Sequence, residues 1–134
     1  MSIVLPKKLH NRRQEITDQF LLLVDEHLKL LMSGAIEHRM STKHFADMIF
    51  IAPRHLTNTV KSVLGKSPCD VMEERITYEA QELLADTSLS IAEISYKFGY
   101  QDTTNFIKFY KGMTGVTPLQ YRKSLINKIV DLNI

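Results

Sequence analysis

Apolar residues recur every three or four positions along most of the chain, which is the spacing of amphipathic α-helices with one buried face. Glycine, proline and helix-capping residues separate these periodic runs. The pattern predicts an all-α protein that begins with a mobile arm over residues 1–14, where no usable periodicity is found. The predicted helices cover approximately residues 15–32, 41–49, 53–64, 67–85, 90–98, 102–114 and 124–134.

Residues 91–113 contain two of these helices, joined by a tight turn. Gly99 tolerates positive φ and ends the first helix, and Asp102 is in position to cap the second. The arrangement predicts a helix-turn-helix, although an ordinary helical hairpin would have the same local pattern. The residues predicted to point inward from the second helix are Phe106, Phe109, Tyr110 and Met113, and those predicted to form an outward stripe are Thr104, Lys108 and Lys111.

An earlier part of the chain contains a second copy of this unit. The two copies align with an offset of 49, which becomes 50 after one inserted residue in the turn. Each copy ends in Gly-x-Ser/Thr-Pro, so the same motif stops one helix and starts the next. Two equivalent units suit a duplex that offers two successive major grooves. The paired positions include Ser41/Ser90, Phe45/Ile94, Leu56/Phe106, Val60/Tyr110, Lys61/Lys111, Gly65/Gly115 and Pro68/Pro118.

The charge distribution is more informative than the net charge of +2. Residues 71–89 carry one Arg against five acidic residues, whereas residues 90–134 carry six Lys or Arg against three. Residues 41–70 carry four basic residues against two acidic ones. The two copies of the unit are therefore basic blocks on either side of an acidic segment, and it is the local field that attracts a polyanion.

The motifs APRHLTNTVKSVLGKSP and SIAEISYKFGYQDTTNFIKFYKGMTGVTPLQYR resemble the DNA-binding domain of AraC/XylS-family bacterial transcription regulators. The resemblance covers roughly residues 41–122, and the second motif is the more specific of the two. The chain departs from the family in the first turn, where Phe50 replaces a frequent Gly and Ala52 replaces a capping Ser. These departures bear on the geometry of that turn and on the contribution of the first unit.

The resemblance implies homeodomain-like three-helix units, arranged as two helix-turn-helix subdomains joined by a central linker helix. The expected divisions are an arm and leading helix (1–40), a first helix-turn-helix (41–66), a connecting helix (67–86), and a second helix-turn-helix with a C-terminal helix (87–134). The implied function is regulation of transcription by inserting two recognition helices into successive major grooves of promoter DNA. The implied partners are double-stranded DNA and RNA polymerase. Most family members also carry an N-terminal effector-binding or dimerisation domain, whereas a minority consist of the double unit alone.

The candidate DNA contacts lie on the second helix of each unit. Arginine can bond guanine bidentately, asparagine can bond adenine, and threonine offers a hydroxyl and a methyl group for thymine. Lys61 and Lys111, at the far ends of the two stripes, suit phosphates. For each residue the alternative is ordinary solvated surface. The base-facing positions implied by the family motif are Arg54, Thr57, Asn58, Thr103, Thr104 and Lys108.

Enzymatic and metal-binding functions are not predicted. The five histidines lack the i, i+4 spacing of a helical zinc pair, and there is no phosphate-cradling glycine loop. The single cysteine, Cys69, excludes an internal disulfide, and its place near a helix start favours a structural role over a redox one. No apolar run approaches a membrane span and the N-terminus has no secretory signal, so a cytoplasmic protein is expected. The resemblance implies a nucleoid-associated protein, and no cofactor is predicted. The competing function is an all-helical protein-interaction module that does not bind DNA.

Overall fold

The computed structural model describes the backbone of residues 7–132 and the side chains of residues 12–128. Over that range the chain forms seven α-helices and no strand, which confirms the predicted all-α class. None of these helices is long and apolar enough to cross a membrane. The helices are α1 (Lys7–Ser33), α2 (Thr42–Ile49), α3 (Pro53–Leu64), α4 (Pro68–Asp86), α5 (Ile91–Lys97), α6 (Thr103–Thr114) and α7 (Pro118–Leu132).

The chain folds as two compact units. The first contains the described residues up to Leu30 together with Arg39–Glu73, and the second contains Leu31–His38 together with the chain from Glu74 onward. Each unit holds one helix-turn-helix, α2–α3 in the first and α5–α6 in the second. Helix α4 begins in the first unit and ends in the second.

Helix α1 begins at Lys7, so the prediction of a mobile arm is wrong for residues 7–14. Residues 1–6 of the predicted arm lie outside the described range. Side chains 12–15 are all exposed, so this stretch has no buried face to reveal a helical period. Its Arg, Gln and Glu residues nevertheless have high helix propensity, and they extend the helix that the apolar residues after them establish.

The first unit has a core built from four helices. Phe20 of α1 meets Phe45 of α2 edge to face, with ring centroids 5.5 Å apart. The predicted apolar faces of α1, α3 and α4 supply most of the remaining core, as the periodicity indicated. The buried apolar residues of this unit are Ile16, Phe20, Val24, Leu28, Phe45, Ala46, Ile49, Leu56, Val60, Val71 and Met72.

His27 is a titratable group within this core. It is 3% exposed, and its ring lies edge to face with Phe45 at 5.5 Å. Its Nε2 accepts a hydrogen bond of 3.0 Å from the Met40 backbone N–H, so that nitrogen carries no proton. Burial, followed by the charge of Arg39, holds the pKa of His27 below its ordinary value of 6.5. The folded state therefore resists protonation of this ring.

We expect the first unit to lose stability as the pH falls below the ordinary histidine pKa of about 6.5. Below that pH the unfolded chain binds a proton at His27 that the folded chain does not bind. The free energy of unfolding therefore falls by up to about 1.4 kcal/mol per pH unit until the pH reaches the lowered pKa of the folded state. Thermal melts between pH 5 and 7.5, a range of about two to three pH units, would measure this loss of stability. His27→Gln, whose amide oxygen can accept from Met40 but does not titrate, should flatten the profile. Parallel profiles for the two proteins would contradict the assignment.

The second unit is built around aromatic rings. Phe106 lies 6.5 Å from Phe98, 5.4 Å from Tyr100 and 6.2 Å from Tyr110 between ring centroids. Tyr110 in turn lies 6.3 Å from Tyr121 of α7. This cluster joins α5, the turn, α6 and α7 through side chains that are individually large and mostly buried. The buried apolar residues of this unit are Leu31, Ile76, Ala80, Leu84, Ile94, Phe98, Phe106 and Tyr110.

Three residues that the helical period places on apolar faces are exposed instead. Met113 is 39% exposed, Met48 is 50% exposed and Ile126 is 55% exposed. Met113 and Met48 lie in the last turns of α6 and α2. Periodicity identifies the face on which a residue lies, but it does not show how far the covering helices extend along that face.

Helix α7 begins at Pro118, where the second Gly-x-Ser/Thr-Pro motif predicts a helix start, and six residues before the start at Ser124 that the apolar period predicts. Arg122 lies in this added segment and donates hydrogen bonds to three backbone carbonyl oxygens. Its Nε bonds Leu84 at 3.0 Å, its Nη1 bonds Leu89 at 2.6 Å and its Nη2 bonds Thr87 at 3.3 Å. One guanidinium thereby satisfies carbonyls at the end of α4 and in the loop before α5.

Candidate nucleic-acid interface

The internal repeat is present in the backbone. Helices α3 and α6 have 12 residues each and begin 50 positions apart, at Pro53 and Thr103. Each ends at a glycine with positive φ, Gly65 at 74° and Gly115 at 85°, whose N–H bonds the carbonyl four residues earlier. The offset read from the sequence therefore holds for both ends of the second helix of each unit.

The two segments that follow these helices also match. The Ser67 N–H donates to Asp70 Oδ2 at 3.1 Å and the Asp70 N–H donates to Ser67 Oγ at 3.1 Å. Fifty residues later, the Thr117 N–H donates to Gln120 Oε1 at 2.9 Å and the Gln120 N–H donates to Thr117 Oγ1 at 3.1 Å. Both are reciprocal capping boxes, which start α4 and α7 in the same way.

The two turns share one backbone geometry with different residues. Gly99 has φ of 82°, and at the matching position Phe50 has φ of 63°, the one non-glycine residue with positive φ among those described. In both turns the next N–H bonds a carbonyl five residues back, from Ile51 to Ala46 at 3.1 Å and from Tyr100 to Ser95 at 3.2 Å. The departure at Phe50 therefore leaves the turn intact, at a cost of about 1–2 kcal/mol for a residue with a Cβ.

The starts of α3 and α6 differ in their capping. Asp102 Oδ1 accepts from the Thr104 N–H at 2.8 Å, as the sequence predicted. Ala52 occupies the N-cap of α3 and offers no side-chain acceptor. Pro53 partly compensates, because it stands at the first helical position, where it removes a donor that would otherwise need a partner.

Helix α3 presents a polar and basic stripe. Arg54, Asn58 and Lys61 are exposed at i, i+4 and i+7, so they lie on one side of the helix. Thr57 is half-buried beside this stripe. The predicted residues of the first unit are thus brought together, with Thr57 offering the smallest accessible surface.

Helix α6 presents the corresponding stripe. Thr104, Lys108 and Lys111 are exposed, and they are the offset-50 counterparts of Arg54, Asn58 and Lys61. Thr103 differs from them, since it is half-buried and its Oγ1 lies 3.3 Å from Ser95 Oγ inside the turn. Of the predicted residues on this helix, Thr103 is therefore the one already engaged within the fold.

Three further residues border these stripes and were not selected from the sequence. His55 and Asn105 are exposed at matching positions next to Arg54 and Thr104, and the offset of 50 could have identified them as a pair. Arg13 of α1 donates from Nη1 to Ser62 Oγ of α3 at 3.2 Å, which places a guanidinium one residue beyond Lys61. No local signal links Arg13 to α3, because the contact joins residues 49 positions apart.

Comparison with known proteins decides the family. A family model described as a helix-turn-helix domain, of the AraC type, matches residues 45–124. The chain belongs to the AraC family.

Its similarity to individual AraC-family proteins is moderate. It is 30% identical over 93 residues to the HTH-type transcriptional regulator ArgR of Pseudomonas aeruginosa, a match that covers 69% of this chain and 28% of ArgR. The C-terminal domain of AraT, a response regulator from Geobacillus stearothermophilus, is 26% identical with a TM-score of 0.72, over 81% of this chain and 84% of that one. The DNA-binding domain of AdpA, solved in complex with a target DNA, shares the fold with a TM-score of 0.70 at 17% identity, over 82% and 95% of the two chains.

This AraC-family chain spans only part of the length of the curated relatives that it matches. Its matches span between 13% and 39% of the relatives' own lengths. The similarity therefore concerns only part of each relative, and in this chain the helix-turn-helix model over residues 45–124 includes both exposed stripes.

Proposed function

We propose that this chain is a sequence-specific DNA-binding transcription regulator that places α3 and α6 in successive major grooves of promoter DNA. The observation that carries the proposal is the matched pair of exposed stripes on equivalent helices of two helix-turn-helix units. A helix of this kind fits the major groove, where base edges present distinct donor and acceptor patterns. The AdpA complex, which shares the fold, supports a DNA duplex as the partner.

Within this proposal the stripes divide into two roles. Arg54, Thr57 and Asn58, near the start of α3, face base edges, as do Thr104 and Lys108 on α6, with Thr103 the weaker candidate because Ser95 engages it. Lys61 and Lys111 contact phosphates at the far ends of the stripes. Arg13 adds a phosphate contact beside Lys61, supported by its hydrogen bond to Ser62.

We further propose RNA polymerase as a protein partner and the cytoplasmic nucleoid as the site of action, since both follow from regulation at promoters. The greater length of the curated relatives supports a separate N-terminal effector-binding or dimerisation domain acting with this one. The competing function is a helical protein-interaction module that does not bind DNA, and it is an outcome of the following experiment.

Sites selected from a random duplex pool provide the test, with the affinity measured at several salt concentrations. If the chain binds DNA specifically, the selection should enrich a motif and the affinity should fall steeply with salt. For each phosphate neutralised, the binding constant should fall by roughly 0.9 logarithmic units for a tenfold increase in salt concentration. An interaction module would enrich no motif. Any weak binding it showed would be independent of the DNA sequence.

The two-groove arrangement is tested with the same selected DNA. Helix α4 contains neither glycine nor proline after Pro68, so it has no residue of the kind that usually kinks a helix. Inserting about 5 base pairs, half a turn, between the two sub-sites should reduce specific affinity towards that of one unit. A 10-base-pair insertion is the control for added length. Undiminished specific binding to the half-turn insertion would contradict simultaneous reading of two grooves by rigidly joined units.

A further inference from the structure

Phe50 is the most exposed large apolar side chain in the described part of the chain. It is 94% exposed and occupies the left-handed region, with φ of 63° and ψ of 39°. A bulky aromatic residue is unfavourable in that region, and exposure of its ring to water adds no stability. Two unfavourable features thus coincide at one residue of the first turn.

The fold does not require this ring. At the matching position of the second unit, Gly99 also has positive φ, at 82°, without a side chain. The hydrogen bonds around the two residues also correspond, with the Phe50 N–H bonding Asp47 O at 3.2 Å and the Gly99 N–H bonding Tyr96 O at 3.1 Å. A strained residue that a glycine could replace is evidence for a role outside the fold.

The position of Phe50 indicates what the ring meets. It stands two residues before Ala52, the N-cap of α3, and therefore at the same end of that helix as Arg54. Lys61 lies at the opposite end of the same stripe. A duplex bound along Arg54 and Asn58 would continue beyond the start of α3 towards the turn.

The size of the apolar surface argues against a protein partner for Phe50. Its only exposed large apolar neighbour in the adjoining turn of α2 is Met48. A phenylalanine ring buries about 150–250 Å², whereas a stable protein interface needs roughly 800 Å² on each side. The patch does match one nucleotide, because phenylalanine makes apolar contacts with the methyl group of thymine.

We infer that Phe50 is a further DNA-contacting residue, whose ring packs against the apolar surface of a nucleotide flanking the first sub-site, next to the start of α3. This surface is either a thymine methyl group or the carbon face of a deoxyribose. The inference rests on the proposed function, since it requires α3 to bind a duplex.

Phe50→Gly separates this role from a role in folding. Because glycine relieves the strain, the variant should melt about 3 to 5 °C higher than the wild type. Its affinity for the selected DNA should nevertheless fall about 3- to 10-fold, the effect expected for losing one apolar base or sugar contact. Phe50→Tyr is the matched control, since it keeps the ring and the same backbone strain. It should retain the affinity of the wild type.

Thymine-to-uracil replacement in the flanking base pairs, which removes only the methyl group, identifies the contacted atom. If uracil lowers the affinity of the wild type but not of Phe50→Gly, the contact is with a thymine methyl. If the wild type binds the thymine and uracil duplexes equally well, the contact is with the sugar. If Phe50→Gly binds the selected DNA as tightly as the wild type, or melts at a lower temperature, the inference is wrong. If the wild type binds no duplex specifically, the proposed function itself fails.

Discussion

Phe106→Ala is expected to lower the free energy of unfolding by about 3–5 kcal/mol, a large share of the roughly 5–15 kcal/mol that stabilises a typical domain. Phe106 is fully buried and touches three aromatic neighbours, from the C-cap of α5, the turn and α6. Alanine would leave a cavity at the junction of these elements, which cannot collapse around it without moving α6. Chemical denaturation measures the loss, and hydrogen exchange should show it first in amides of the second unit.

Met113→Ala is the matched control on the same helix. Met113 falls on the same periodic face as Phe106, but it is 39% exposed, so its truncation should cost less than about 1 kcal/mol. Similar losses for the two variants would mean that Met113 is covered by protein in solution. A loss below about 1 kcal/mol for Phe106→Ala would contradict its central place in the core.

Alanine at Arg54 or Asn58 is expected to weaken binding to the selected DNA by about 1–3 kcal/mol, which is roughly 5- to 150-fold. Both side chains are exposed on the α3 stripe, so their removal leaves the core unchanged. Each loss should be accompanied by relaxed preference at particular base pairs, because a base contact discriminates among sequences. Repeating the selection from random DNA with each variant would reveal which positions lose their preference.

Lys61→Ala provides the comparison for these variants, since Lys61 is exposed on the same stripe but is proposed to contact phosphate. It should weaken selected and random DNA alike and reduce the salt slope by about one unit. Arg13→Ala should behave like Lys61→Ala if its guanidinium, held near Ser62, also reaches a phosphate. If Arg54→Ala weakened random and selected DNA equally, Arg54 would be a phosphate contact and its base-facing assignment would be wrong.

Local chemistry made much of this fold predictable. The cap at Asp102 and the turn at Gly99 depend on residues within five positions of one another, and each is present where the sequence placed it. The repeat was visible because each copy uses the same stop and start signals, which extend to the two capping boxes. The exposed stripes follow from the same helical period, whereas their DNA contacts stay predictions.

Other features depend on which distant residues meet. The helical phase placed Met48 and Met113 on apolar faces, but only the packed structure shows where the cover over those faces ends. The start of α1 was missed because residues 12–15, just before its buried face, have exposed side chains and show no apolar period, and with it the contact of Arg13 with Ser62. Arg122 likewise bonds carbonyl oxygens of residues more than 30 positions away in the sequence. Contacts between residues so far apart cannot be predicted from their spacing.

At Phe50 the local sequence preference and the tertiary packing oppose each other. From the sequence, a phenylalanine in place of the turn glycine left the first turn in doubt, because residues with a Cβ disfavour positive φ. The folded unit keeps the left-handed turn, since the packing of α2 and α3 and the bond from Ile51 to Ala46 outweigh a local cost of about 1–2 kcal/mol. Local sequence thus determined the helices, caps and repeated units, where the deciding interactions span a few residues. Tertiary structure alone decided the strain at Phe50, the exposure of its ring and the long-range contacts of the basic side chains, because those depend on packing summed over the whole unit.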